Sequence, residues 1–288
     1  SAPEAVTEHG ELPARLRRIL PLLRCPETGG SLVERPEGGL MSVDGGRVWP
    51  VEQGRPILFP GVATVEVWPP EHQGNPLPPR AGDLIAEASG MVLHLSGGGT
   101  SAGRNNVVSL DAAIFGPTDV VGDAHRLPFH DREFDLVVAM NAFEHYREPS
   151  LVVGELCRVL RPGGLVFLHT AFLQPLHEAP SHYFNCTRYG LEQWFDRFET
   201  LDLCVSDNLH PAYAISWMAS DAEEVLARDA SPAVAASFRE TKIGTFSDFW
   251  RDPTTRQDDE RWDAFAKLTG ESRERLAAGF EYLGRRPQ

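Results

Sequence analysis

From residue 90 the chain alternates short, uniformly apolar runs with polar or periodic stretches. Met91–Leu95, Val107–Leu110, Asp119–Val121, Leu136–Met140 and Leu165–Leu168 are each strand-sized, and the apolar character does not alternate along them. Strands of that kind are buried on both faces, as in a parallel sheet covered by helices. Leu151–Leu160 has a different period: Val152, Val153, Leu156, Val159 and Leu160 share one helical face, with Glu155, Arg158 and Arg161 opposite. Pro162-Gly163-Gly164 stops that helix. Repeated strand–crossover–strand units predict an α/β fold with a doubly wound, mostly parallel sheet. Residues 96–106 are fewer than the dozen or so an ordinary crossover needs, so the first crossover helix is expected to shrink to a turn or vanish.

The flanking regions read differently. Residues 11–24 form a short amphipathic stretch, and Asp44-Gly45-Gly46 between two brief apolar runs signals a hairpin in a small β-rich unit over 11–60. Six prolines between 60 and 79 make 61–88 a linker or extended arm. Thr187–Phe198 is helical in pattern, and Leu201–Val205 and Ala212–Met218 are expected to be strands finishing the sheet, which closes the main domain at 89–220. A helical extension over 221–288 follows, starting at Asp221–Arg228, with Trp262, Phe265, Leu268, Leu276 and Phe280 at helical intervals in Asp258–Leu283.

Charge narrows the partners. The net charge is −14, from 41 acids against 27 bases, and it is spread along the chain. An acidic average field repels a polyphosphate, so nucleic acid is not expected. No apolar run reaches the roughly 20 residues of a membrane span, and Ser1–Gly10 lacks a basic start and an apolar core, so a soluble cytoplasmic protein is expected. The four cysteines, Cys25, Cys157, Cys186 and Cys204, stand far apart with no CxxC, which fits a reducing compartment.

The candidate chemistry begins at Ser96-Gly97-Gly98-Gly99-Thr100. A glycine-rich turn straight after a first buried strand lets backbone approach a ligand without an intervening Cβ. Asp111, closing the second run, can accept from both hydroxyls of a ribose, and Gly122-Asp123-Ala124 offers polar contacts after the third.

VLHLSGGGT, VVSLD, DVVGDAHRLPF, FDLVVAMNAFEHY and ELCRVLRPGGLVFLHT, over residues 90–198, resemble the class I S-adenosylmethionine-dependent methyltransferases, whose fold is Rossmann-like. The resemblance implies that Ser96, Gly97, Gly98, Gly99, Asp111, Asp123 and Ala124 hold S-adenosylmethionine, with S-adenosylhomocysteine as product. Asn141 would face the methionine part or the acceptor. His94 stands where the family carries an acid, and Ser96 and Thr100 replace glycines. Residues 16–60 resemble the zinc-ribbon domain of the tRNA methyltransferase activator family in their Cys-Pro start and Trp-Pro-Val ending. Zinc needs four soft ligands, and Cys25 has only Thr28 three residues on, with no cysteine between 26 and 156, so a zinc-free relic is expected.

Methyl transfer to a hydroxyl needs an aligned acceptor and a base near neutral pH, which histidine supplies. His145 follows the fourth strand, and His177, His182 and Tyr183 fall in the loop over 172–186; these are the candidate catalytic groups. Two histidines on a proline-containing loop fix no coordination geometry, so no metal is expected. The leading expectation is a methyltransferase acting on a small molecule, such as a natural-product intermediate or a sugar. A methyltransferase fold performing elimination or cyclisation is the alternative. A third reading is a scaffold, with the N-terminal unit or C-terminal helices binding a protein partner or forming a homodimer.

Overall fold

The computed structural model describes residues 13–61, 64–209, 211–270 and 272. Its strands, in chain order, are β1 (Leu32–Glu34), β2 (Leu40–Ser42), β3 (Val48–Trp49), β4 (Val51–Glu52), β5 (Arg55–Leu58), β6 (Met91–Leu95), β7 (Val107–Asp111), β8 (Val120–Gly122), β9 (Phe134–Met140) and β10 (Leu160–His169). The helices are α1 (Ala14–Ile19), α2 (Pro79–Glu87), α3 (Pro149–Val159), α4 (Arg188–Trp194), α5 (Pro211–Asp229), α6 (Pro232–Arg239), α7 (Ile243–Arg251) and α8 (Glu260–Lys267). The apolar runs of the sequence become one seven-stranded sheet of order β10-β9-β6-β7-β8-β5-β4. It is parallel from β10 to β5, and only β4 runs antiparallel. This is the Rossmann-like α/β architecture expected; the chain also forms a small antiparallel sheet and C-terminal helices.

Two apolar layers enclose the sheet. One face packs Leu93, Leu95, Val108 and Val137 against Val152, Val153 and Leu156 of α3 and against α1. The other packs Val92, Val107, Leu136 and Val138 under Ala81 and Ile85 of α2. Residues 96–106 form no helix, as the short spacing requires. Helix α2, which lies inside the stretch expected to be a linker, covers the face that a first crossover helix would otherwise cover. The linker expectation for 61–88 is corrected accordingly. The proline-rich composition hid Ala81, Leu84 and Ile85, whose helical spacing buries Ala81 and Ile85.

The N-terminal segment is not a separate body. The expected hairpin is present: β2 pairs antiparallel with β3, and Gly45 and Gly46 adopt φ of 83° and 103° between them. With β1 they form a three-stranded sheet. β5 then leaves this unit and adds to β8, Ile57 opposite Val121 and Leu58 opposite Gly122. Asp119, 3% exposed, accepts from Ser109 N at 2.8 Å and is paired with Arg15 and Arg18 of α1. Arg55 Nε donates to Thr118 O at 2.9 Å. The boundary expected at residue 60 therefore falls inside the sheet rather than outside it.

The two strands expected over 201–205 and 212–218 are not formed. Residues 202–206 have no regular structure, and Ala212–Met218 is the first part of α5. A short apolar run does not distinguish strand from helix. Here the run continues in helical register to Ala222, Val225 and Leu226, all buried, and a proline opens the helix.

The chain divides into two compact units: residues up to Ala171 with Cys186–Leu201, and Phe172–Asn185 with the chain from Asp202 onward. The second is helical, built on Leu226, Ala235 and Ala264 with Phe238 and Phe265 against them. Ser231 Oγ accepts from Val234 N to cap α6. Asp259 caps α8 by accepting from Arg261 N and Trp262 N, and its hydrogen bond with the Arg261 side chain holds its carboxyl down at about 2. Trp262, Phe265 and Leu268 lie on or just after α8 as expected, whereas Ser1–Gly10, Leu276 and Phe280 are outside the described residues. No helix among the described residues is long and apolar enough to cross a membrane.

Candidate functional site

The sheet order reverses at β6. From β6 the chain winds outward to β7 and β8, then returns across to β9 and β10. Ligands of open α/β sheets bind at the strand carboxyl ends where such a reversal opens a crevice. Two loops flank this one: Ser96–Thr100 after β6 and Asn141–Tyr146 after β9. They are joined by a hydrogen bond of 2.9 Å between Ser96 Oγ and Tyr146 Oη.

The three glycines do different jobs. A Cβ at Gly97 would lie 2.3 Å from His94 Cε1, and one at Gly99 would lie 2.4 Å from His72 O. Both positions are thus small because the protein's own groups fill the space. Gly98 is different: at φ +55° its missing Cβ faces nothing within 4 Å, leaving its backbone open to an approaching ligand. Gly98 N donates to Asp111 Oδ2 at 3.0 Å, and Ala112 N donates to Asp111 Oδ1 at 2.8 Å. The loop and the strand-end carboxylate are therefore one hydrogen-bonded element.

Asp123 Oδ1 accepts from His125 N at 2.9 Å and pairs with His125 Nδ1 at 2.7 Å. Glu148 N donates to His125 Nε2 at 3.2 Å, which places the His125 proton on Nδ1, facing Asp123. Burial works against ionised Asp123, but the side-chain and backbone hydrogen bonds from His125, with the Arg126 charge adding to them, outweigh it and keep its carboxyl below the ordinary range. The Ala124 side chain is packed in the core, so only its backbone is available to a ligand. Asn141, at φ 49°, donates its N–H to His169 O at 2.9 Å, and its Oδ1 is buried with no hydrogen-bond partner. His145 N donates to Ala142 O at 3.0 Å.

Sequence reasoning missed Tyr146 and Glu144 as site residues. Burial pushes the Tyr146 phenol far above its usual range; the bond to Ser96 opposes this, and the charges of Asp111, Glu144 and Asp123 add to it. Glu144 is buried, with Oε2 accepting from Thr170 Oγ1 at 3.0 Å and Oε1 unpartnered. The available signal was position: both residues adjoin His145 at the end of the most apolar strand.

His94 is a core histidine, as its apolar strand suggests. It is fully buried, neither ring nitrogen has a partner, and burial pushes it down to about 4.

His177, His182 and Tyr183 belong to the second unit, apart in the chain from the glycine loop. His177 N donates to His182 Nδ1 at 3.2 Å, His182 Nε2 lies 3.2 Å from Asn185 Oδ1, and Asn185 Nδ2 donates to Gln174 O at 2.9 Å. The His177 ring stands 4.2 Å from that of His182 and 5.1 Å from Trp217. These contacts fold the loop on itself. Tyr183 is exposed.

Residues 100–168 match the methyltransferase domain family. Among curated proteins, phthiotriol/phenolphthiotriol dimycocerosates methyltransferase 1 of Mycobacterium ulcerans (strain Agy99) is 37% identical over 93 residues, 32% of this chain and 31% of that one. Fatty-acid O-methyltransferase of Mycolicibacterium smegmatis is 34% identical over 95 residues, 33% and 31% of the two chains. Both matches span under a third of those relatives' own length. The [4+2]-cyclase SpnF superposes with a TM-score of 0.38 at 21% identity, covering 61% of this chain and 76% of that one.

Proposed function

We propose that the chain is an S-adenosylmethionine-dependent methyltransferase acting on a small molecule. The observation that carries the reading is the Gly98–Asp111 pair: an open glycine backbone hydrogen-bonded to a strand-end carboxylate at the sheet's reversal point. The matched family over 100–168 supports it.

The residues present fit the cofactor. Asp111, which holds the backbone of Gly98 and Ala112, would meet the ribose hydroxyls with its carboxylate. Asp123 keeps Oδ2 for the nucleoside. The orphaned Asn141 Oδ1 suits an ammonium donor, and the carboxylates of Asp111 and Asp123 favour a ligand that carries positive charge. Bound S-adenosylmethionine supplies an electrophilic methyl group on a sulfonium. The chain's own part is to orient the cofactor through Ser96, Gly97, Gly98, Gly99, Asp111, Asp123 and the Ala124 backbone. His145 is assigned as the base that takes the acceptor's proton. Two of the similar curated proteins are named as methyltransferases of dimycocerosates and of fatty acids, which supports a small-molecule acceptor.

Calorimetric titration with S-adenosylmethionine and S-adenosylhomocysteine tests the reading. The wild-type protein is expected to bind both. Asp111→Ala should bind roughly tenfold to a hundredfold more weakly, the loss of hydrogen bonds to a charged acceptor. No binding by the wild type, or an unchanged affinity in the variant, refutes the assignment.

A further inference from the structure

The proline-rich stretch ahead of α2 is not slack chain. Ile114 N donates to Glu66 O at 2.8 Å and Trp68 N donates to Ile114 O at 2.9 Å, so residues 66–68 run beside the segment that follows Asp111. Trp68 stacks on Phe115 with ring centroids 5.4 Å apart and planes 20° apart, and His72 packs on both rings at 4.6 and 5.6 Å. The chain then crosses the glycine loop. Thr100 Oγ1 donates to Asn75 O at 2.7 Å, and His72 O fills the space beside Gly99. A Cβ at Gly74 would lie 2.4 Å from Thr100 Oγ1, so the crossing is close on both sides.

One segment therefore grips both halves of the Gly98–Asp111 pair: the loop after β6 through Thr100 and Gly99, and the turn after β7 through Ile114 and Phe115. The loop needs such a grip, because residues 96–106 contain no helix to anchor it. Thr100 stands where the resembled family has a glycine, and its hydroxyl is spent on this contact.

We propose that residues 66–75 are a positioning strap for the cofactor site, holding Gly98 and Asp111 in binding geometry in place of the missing crossover helix. The proposal rests on the S-adenosylmethionine reading above. It makes Thr100, Trp68 and Asn75 positioning residues, acting through Gly98 and Asp111 rather than on the ligand. By linkage, a ligand that needs the docked strap must in turn tighten the strap.

The experiment measures S-adenosylhomocysteine binding by calorimetry in wild type, Thr100→Val, Thr100→Ser and Trp68→Ala, with hydrogen exchange over 66–75 recorded with and without ligand. Thr100→Val, which removes one neutral hydrogen bond, should weaken binding roughly threefold to tenfold. Thr100→Ser, which keeps the hydroxyl, should restore it, and Trp68→Ala should weaken it as well. In the wild type the ligand should slow exchange in 66–75. Wild-type affinity in both Thr100→Val and Trp68→Ala, while Asp111→Ala loses binding, overturns the strap and leaves the cofactor reading standing. If the wild type binds neither S-adenosylmethionine nor S-adenosylhomocysteine, the cofactor reading fails and the strap with it. Should Thr100→Val unfold, the wild-type exchange decides: slowed exchange on ligand addition supports the strap, and unchanged exchange overturns it.

Discussion

Protonating His94 should destabilise the protein's sheet from within, and the size of the effect can be worked out. The imidazole lies at the centre of β6 with no exposed surface and no partner for either nitrogen, so a charge there has no compensation. Burial lowers its pKa from 6.5 in the unfolded chain to about 4. Between those values the unfolded chain takes up a proton that the folded chain refuses, so stability is constant above pH 6.5, falls as the pH drops toward 4, and levels off below. At 1.36 kcal/mol per pKa unit the full loss is about 3 kcal/mol, of which about 2 kcal/mol is gone by pH 5. His169, also lowered by burial, contributes in the same direction, so the comparison must be made against a variant. Denaturant unfolding of wild type and His94→Leu at pH 5, 6, 7 and 8 isolates the residue. The wild-type stability minus the variant's should fall by about 2 kcal/mol from pH 7 to pH 5. Parallel profiles would refute the reasoning, since they would mean that His94 carries its proton equally well in the folded and unfolded chains.

Two further outcomes follow from contacts in the first unit. Asp119→Asn removes the buried carboxylate that joins α1 to the sheet; the arginines are partly exposed, so the loss should be about 2–3 kcal/mol rather than the larger cost of stranding a fully buried charge, and urea unfolding reads it. Gly97→Ala places a methyl group against the His94 ring and should cost about 1–3 kcal/mol. Combined with His94→Ala, that penalty should largely vanish, a non-additivity seen in a double-mutant cycle; strict additivity would show that the two do not touch.

Much of the architecture is written locally. Leu136–Met140 is too uniformly apolar to be anything but a strand covered on both faces, and Val137, Val138 and Ala139 have no exposed surface. The helical period ends at Val159, and Pro162-Gly163-Gly164, with Gly163 at φ 79°, forms the irregular stretch of β10 before its regular pairing from Leu165. The short interval after β6 correctly excluded a helix. What could not be read depends on partners distant in sequence. Nothing in Arg55–Leu58 says that its outer edge meets β8 rather than solvent, and nothing in His72-Gln73-Gly74-Asn75 says that it crosses a glycine loop 25 residues later. Tyr146 looked like a neighbour of His145, yet its chemistry comes from Ser96, 50 positions earlier. Ala212–Met218 failed for the opposite reason: its apolar run is compatible with either backbone, and the register of the next turns decided for helix.

The β5–β8 pairing also sets an order of assembly. β1, β2 and β3 pair within a few residues of one another and can close as soon as they are made. β5 cannot, because its partner comes more than 60 residues later, and Arg15 waits still longer for Asp119, 104 positions away. During vectorial synthesis β5 therefore emerges well before β8: one of its edges pairs at once with β4, and the edge that will meet β8 stays unpaired until then. Contacts so distant in sequence close slowly, and an unpaired strand edge invites pairing with other chains in the meantime. β5 is locked into the parallel layer only once β8 has arrived.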